Sequence, residues 1–165
     1  MISFQLSDEQ LALKEMVARF VQNDMLPVAA KYDQSGEFPW EIIKKAFELG
    51  LMNIAVPQEY GGLGLGVLDD VVINEELGTG CLGMTTSISV NTLALYPILL
   101  GGTPAQIKEF VVPFLSEPKI ASFCLTEPNS GSDAGSLSTH IKEDGDHYIV
   151  NGSKMWITNA GQASL

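Results

Sequence analysis

Helical spacing governs the first two thirds of the chain. After the polar run Ser7-Asp8-Glu9-Gln10, the apolar residues Leu13, Met16, Val17, Phe20 and Val21 fall on one face of a helix. Ser7 and Gln10 stand at capping-box positions, with Leu6 set to staple onto Leu11. Pro27 suits the first turn of a second helix that stops at Gly36. Pro39 opens a third, with Ile42, Ile43, Ala46 and Phe47 on one face and Gly50 as its stop. PQEYGGLGLG at 57–66 reads as a loop, followed by helices over 67–77 and 82–100. Thr103-Pro104-Ala105-Gln106 repeats the capping pattern ahead of an inner face of Ile107, Phe110, Val111 and Phe114.

Beyond Pro118 the period changes. Residues 120–125 form a short apolar run that reads as a strand, and Leu137, Thr139 and Ile141 alternate with polar neighbours. Segments 147–150 and 153–158 flank Asn151-Gly152, a strong hairpin dipeptide. The fold class is therefore α+β: an all-α helical domain over 1–118, then the first strands of a β-barrel-like middle domain over 119–165. The last strand finds no partner in the sequence, and an unpaired apolar edge is an aggregation hazard. The expectation is a piece of a longer protein, or a chain completed by another.

Composition narrows the function classes. Of 165 residues 45% are hydrophobic, which supports a real core and argues against disorder. Twenty acidic residues against 9 basic ones give a net charge of −11, and no basic stripe exists for a nucleic acid. A polyanionic ligand would have to be held by amides, hydroxyls and helix N-termini. Cys81 and Cys124 have neither metal nor disulfide spacing and read as buried free thiols of a reducing compartment. Met1-Ile2-Ser3-Phe4 leads straight into a polar helix start, with no secretory pattern. Asn151-Gly152-Ser153 matches a glycosylation sequon but reads as a turn.

Several motifs fail on inspection. The uncharged stretch 77–107 is long enough to cross a membrane, but Thr85, Thr86, Ser87, Ser89, Asn91, Thr92 and Pro97 interrupt it, so a buried helix is the better reading. Its hydroxyl stripe is either a satisfied polar core or the wall of a ligand pocket. Gly62-Leu63-Gly64-Leu65-Gly66 lacks the third glycine and the βαβ frame of a dinucleotide loop, and no Gly-Lys-Ser/Thr exists for a phosphate loop. His140 and His147 have no ligand-spaced neighbours and read as surface residues, and no Ser-His-Asp or Cys-His set appears.

Two stretches carry chemistry. CLTEPNSGSDAGS at 124–136 offers the hydroxyls of Thr126, Ser130 and Ser132, with Gly131 and Asn129 tolerant of unusual backbone and Asp133 placed to cap a turn. The plain alternative is a surface loop of Asx and Ser/Thr turns. KMWITNAG at 154–161 sets Trp156 beside Thr158; such a pair suits a planar ligand with a polar edge, unless Trp156 is simply core.

FCLTEPNSGSDAGS together with NGSKMWITNAG resembles the acyl-CoA dehydrogenases. LPVAAKYDQSGEFP, ELGLMNIAVPQEYGGLGLG and NEELGTGCLGMTTSI are similar to that family's N-terminal helical domain, most of all to its medium- and short-chain members. The resemblance spans the chain end to end. It implies a subunit with a helical domain, a middle β-barrel and a C-terminal helical bundle, the last absent from this chain, with FAD between the latter two. On that likeness Phe123, Cys124, Leu125, Thr126, Gly131, Ser132, Trp156, Ile157 and Thr158 would line FAD. Thr126 would bond the flavin ring, Trp156 would pack on it, and Thr158 would reach its N5 region. Ser132 would also approach the CoA arm, and Thr85, Thr86, Ser89 and Leu93 would border the acyl tail. The family often has Gly-Ala at Asn129-Ser130 and Tyr at Phe123.

The activity so implied is α,β-desaturation of a saturated acyl-CoA, part of fatty acid β-oxidation. Electrons would pass to an electron-transfer flavoprotein, and the full-length protein would be a homotetramer in a bacterial cytoplasm or a mitochondrial matrix. The family's glutamate base has no counterpart in Glu75, Glu76 or Glu127, so the chain is expected to be inactive alone. The alternative is a non-catalytic, truncated interaction module that binds through its exposed strand edge.

Overall fold

The structure is a computed structural model and describes residues 5–165. Met1-Ile2-Ser3-Phe4 lies outside the described residues. The order is α1 (Asp8–Phe20), a π-helical turn (Val21–Met25), α2 (Leu26–Ser35), α3 (Trp40–Glu48), α4 (Val67–Gly78), α5 (Leu82–Gly101), α6 (Pro104–Phe110), α7 (Pro113–Ser116), β1 (His140–Asp144) and β2 (His147–Asn151). Helical domain and antiparallel strands together match the α+β expectation.

Both capping boxes form. Ser7 Oγ accepts from Gln10 N–H at 3.2 Å while Ser7 N–H donates to Gln10 Oε1 at 3.1 Å, and Thr103 with Gln106 repeats the arrangement. Leu11 stays half exposed. Pro27 stands in the first turn of α2, which ends at left-handed Gly36 as expected; α1 reaches α2 through the π-helical turn, whose Val21 and Met25 are fully buried. Such turns insert one residue into a helix without ending it, which periodicity alone does not reveal.

Two apolar cores share α5. Val17, Phe20, Ile43, Leu77 and Ile88 belong to the first; Val56, Leu95, Ile107, Val111 and Phe114 to the second. Phe110 lies outside both, being 40% exposed at the end of α6, because the chain re-turns at Pro113 and Phe114 enters from a separate short helix. The glycine loop is a packed connection. A Cβ at Gly62 would sit 2.0 Å from the Val56 carbonyl oxygen, so only glycine lets that loop close on itself.

The β region departs from expectation. Residues 120–125 are extended but form no strand; they pair only sparsely with the chain's last residues, Ser164 N–H donating to Ile120 O at 2.8 Å and Ser122 N–H to Leu165 O at 2.9 Å. The hairpin turns at Gly145-Asp146, with His140 opposite Asn151 and Asp144 opposite His147. Asn151-Gly152 ends β2 instead of turning it, and 153–158 is not a strand. In this register Gly152 falls opposite Thr139, and a Cβ there would lie 2.1 Å from Thr139 Oγ1, so this glycine marks a close crossing of backbone over side chain. Leu137 and Thr139 precede β1 rather than belonging to it. Both strands are exposed along their whole length.

Candidate functional site

The two stretches singled out in the sequence lie side by side. Met155 N–H donates to Thr126 O at 2.8 Å, and Ser122 Oγ donates to Thr158 O at 2.8 Å, so 120–127 runs antiparallel to 154–165. Thr126 leads into a tight turn closed by Glu127 N–H to Ser130 O at 2.9 Å and Ser130 N–H to Glu127 O at 3.1 Å. Pro128 and Asn129 form its tip. Asn129 is not left-handed there. Asp133 caps nothing with its side chain; its carbonyl accepts from Ser130 Oγ at 2.7 Å and Ser136 Oγ at 2.9 Å.

Trp156 is not core. It is 85% exposed and has φ 60°, a left-handed backbone that bulky residues rarely adopt. Such a conformation costs about 1–3 kcal/mol and persists only where its surroundings impose it. On its C-terminal side Asn159, also left-handed, donates from Nδ2 to Ser87 O of α5 at 3.0 Å. Cys124 is exposed and Cys81 half-buried, both as free thiols, so neither is the buried thiol expected.

The hydroxyls divide into two sets. Those of Ser122, Ser130, Ser136 and Ser138 are spent on the chain itself. Those of Thr126, Ser132 and Thr158 make no intrachain hydrogen bond among the described residues. Gly131 has open space around its Cα.

Glu127 sits beneath this surface. It is 4% exposed, and its carboxylate accepts from Ser138 N–H at 2.7 Å, Ser138 Oγ at 2.8 Å, Thr139 N–H at 3.0 Å and Lys154 Nζ at 2.9 Å. Thr139, then Lys154, then the Ser138 amide and hydroxyl hold its carboxyl well below the usual carboxylate range, against the opposing effect of burial. The Thr139 hydroxyl is sealed from solvent and makes no hydrogen bond among the described residues, while the Thr139 amide bonds the carboxylate. Lys154 Nζ also donates to Leu125 O at 3.0 Å.

The polar stripe of α5 resolves into two roles. Asn91 is fully buried; its Nδ2 donates to Lys119 O at 2.8 Å and Asn53 Oδ1 at 3.2 Å, and its Oδ1 accepts from Ala121 N–H at 2.8 Å. It ties the helical core to the start of the loop segment. Thr85 is buried, its hydroxyl bonded to Cys81 O. Thr86 and Leu93 are exposed and Ser89 is half-buried, on the same stripe as exposed Leu82 and Leu100. Thr86 donates its hydroxyl back to Leu82 O at 2.8 Å. Phe123 packs against the second core, and Leu125 is 39% exposed.

Ile157 and Thr158 border a cleft of about 440 Å³ shared with Phe38, Ser87 and Asn159, and a neighbouring one of about 370 Å³ lies over Tyr32, Cys81 and Met84. Neither includes Thr126 or Trp156; of the three unpartnered hydroxyl residues Thr158 alone borders a cleft. No group of His, Cys, Asp and Glu among the described residues is placed to hold a metal.

The sequence reading missed the Glu127–Lys154 pair, Asn91 as a link and Asn159 as an anchor. The available signal was a lone lysine inside the otherwise uncharged KMWITNAG.

The family model described as acyl-CoA dehydrogenase, N-terminal domain, matches residues 7–118, and that described as acyl-CoA dehydrogenase, middle domain, matches 122–165. A probable medium-chain specific acyl-CoA dehydrogenase 2, mitochondrial, of Caenorhabditis briggsae is 43% identical over 98% of this chain and 40% of its own length. The butyryl-CoA dehydrogenase structure from Megasphaera elsdenii superposes with TM-score 0.90 at 33% identity, covering 98% of this chain and 44% of that one. A glutaryl-CoA dehydrogenase from Mycobacterium smegmatis in complex with FADH2 superposes with TM-score 0.87 at 30% identity, covering 96% and 41%. This chain thus spans about 40% of the length of the curated relatives it matches.

Proposed function

The chain belongs to the acyl-CoA dehydrogenase family, and from that premise we propose that it forms the helical part (1–118) and the opening flavin-facing part (119–165) of an FAD-dependent enzyme. The enzyme desaturates a saturated acyl-CoA thioester between its α and β carbons. Its electrons go to an electron-transfer flavoprotein. The full-length assembly is a homotetramer of a mitochondrial matrix or a bacterial cytoplasm.

The observation that carries this reading is the Met155–Thr126 hydrogen bond, which sets a free hydroxyl beside an exposed, conformationally constrained Trp156. A flat ring with polar edges needs that combination: one aromatic surface and a few donors. The donor set also fits the acidity of the chain, since Thr126, Ser132, Thr158 and open Gly131 bring hydroxyls and amides rather than a cationic field. Bound FAD supplies the acceptor for the hydride lost from the β carbon. Thr126 and Thr158 orient the ring edge, and Trp156 covers it from water. Phe123, Cys124, Leu125 and Ile157 back the surface, and Ser132 meets the cofactor chain and the CoA arm. The α5 stripe of Thr86, Ser89 and Leu93 borders the acyl tail, with Thr85 behind it; hydroxyls turned inward to backbone carbonyls suit an apolar chain.

The α-proton needs a base near the reacting carbon. Glu127 is a poor one: it is buried, holds four hydrogen bonds, and its lowered pKa makes it weakly basic. Glu76 faces Lys14 at 3.8 Å. We place the base outside these 165 residues.

Anaerobic addition of saturated straight-chain acyl-CoAs to the full natural protein tests the reading. Bleaching of the visible flavin band by acyl-CoA, and not by the free acid, is the expected result. Absence of a flavin band, or a band that no acyl-CoA bleaches, would move the assignment to a non-catalytic interaction module. The observation favouring that second reading is the exposed hairpin, which sets Ile141, Tyr148 and Val150 on one face as an apolar surface for a partner.

A further inference from the structure

We infer that Glu127 and Lys154 are positioning residues that clip the turn carrying Thr126 to the turn carrying Trp156, and so prepare the flavin-facing surface before any cofactor arrives. The inference rests on the flavin reading for its purpose, but its geometry stands apart from it. Lys154 and Glu127 are joined at 2.9 Å with side chains 24% and 3% exposed, a pair largely removed from water. A buried charge of this kind is costly unless every lone pair is used, and here four donors use them. Lys154 adds a bond to Leu125 O, so one ammonium holds the residue before Thr126 and the residue after it. Met155, next to Lys154, closes the backbone bond to Thr126 O. Trp156 follows at once in its left-handed conformation. Neither residue is placed to touch the ring. Their part is to impose a backbone shape that Trp156 would not keep unaided.

A side-chain clip leaves a local signature that general destabilisation does not. The measurement is native-state hydrogen exchange on the full natural protein, without FAD, comparing two amides. Met155 N–H is bonded across the clip, and Ala121 N–H is bonded to Asn91 in the core. Glu127→Gln and Lys154→Met are each expected to speed exchange at Met155 about tenfold or more with Ala121 unchanged. Combining the two substitutions is expected to add little, because each alone opens the same clip. The Kd for FAD, titrated on the same proteins, is expected to rise about tenfold. Ser138→Ala, which removes one hydroxyl and leaves the amide, gives a smaller shift in the same direction should the charge variants fail to fold. Equal acceleration at Met155 and Ala121, or wild-type protection of Met155 in Glu127→Gln, would overturn the inference. A wild-type protein that binds no FAD yet loosens at Met155 in the variants would uphold the clip and refute the flavin reading.

Discussion

Met155 and Thr126 are 29 residues apart in sequence, yet the amide of one donates to the carbonyl of the other at 2.8 Å. That bond makes two separate polar stretches into one surface. On one side stands a hydroxyl with no intrachain partner; on the other, an indole held outward at positive φ.

Removing a free hydroxyl touches nothing in the fold. Thr126→Val, Ser132→Ala and Thr158→Val are therefore expected to change unfolding free energy by less than about 0.5 kcal/mol. Each should weaken FAD binding by roughly threefold to tenfold, the worth of one net hydrogen bond. Denaturant unfolding beside a flavin titration separates the two effects.

Asn91 stands at the opposite extreme. Asn91→Ala leaves Lys119 O, Ala121 N–H and Asn53 Oδ1 without their buried partner. The expected cost is about 3 kcal/mol, since each buried group left unpaired costs about 1–3 kcal/mol and the backbone pair relaxes partly. Urea unfolding should show a lower midpoint with an unchanged slope.

Gly152→Ala is expected to displace the hairpin. Its Cβ would lie 2.1 Å from Thr139 Oγ1 and 2.7 Å from Thr139 Cα, so a rotamer change at Thr139 does not make room. A loss of about 1–3 kcal/mol follows from such overpacking. Chemical shifts of β1 and β2 should move, while those of α1 and α4 stay in place.

Two carboxylates titrate with opposite sign. The folded pKa of Glu127 is lowered, so its stabilisation is complete above the unfolded value of about 4.3 and is lost only as pH falls below that toward the folded value. Glu127→Gln should therefore lose stability evenly across neutral pH and converge with wild type in strong acid. The folded pKa of Asp70 is raised by burial, partly offset by the Asn74 side chain, so its favourable contribution is present in acid and lost as pH rises through the folded value. Asp70→Asn should leave Tm at neutral pH unchanged or raise it slightly. Thermal melts at several pH values check both.

Much of the helical half was legible because its signals are local. Ser7 with Gln10 and Thr103 with Gln106 sit three residues apart, and the apolar faces of α1 and α3 repeat within single helices. The hairpin was misread because two glycine dipeptides competed. Asp144-Gly145 and Asn151-Gly152 both flank β-prone runs; the turn forms at the first, and Gly152 then comes to lie against Thr139 across the whole hairpin. Hydroxyl chemistry at Thr126 and Thr158 was legible as residue type. The carboxylate beneath it was not, since Glu127 and Lys154 meet across 27 residues. Asn91 looked like one member of a polar stripe; its role depends on Lys119 and Ala121, 28 and 30 residues away in the chain.

The most direct test of the central claim is the visible spectrum and flavin content of the full natural protein, beside its Thr126→Val and Trp156→Ala variants. The account expects near-equimolar bound FAD in the wild type, with a shifted flavin band and weaker retention in both variants at unchanged Tm. Wild-type protein that takes up no FAD under saturating conditions, or variants with wild-type flavin spectra and affinity, would contradict it.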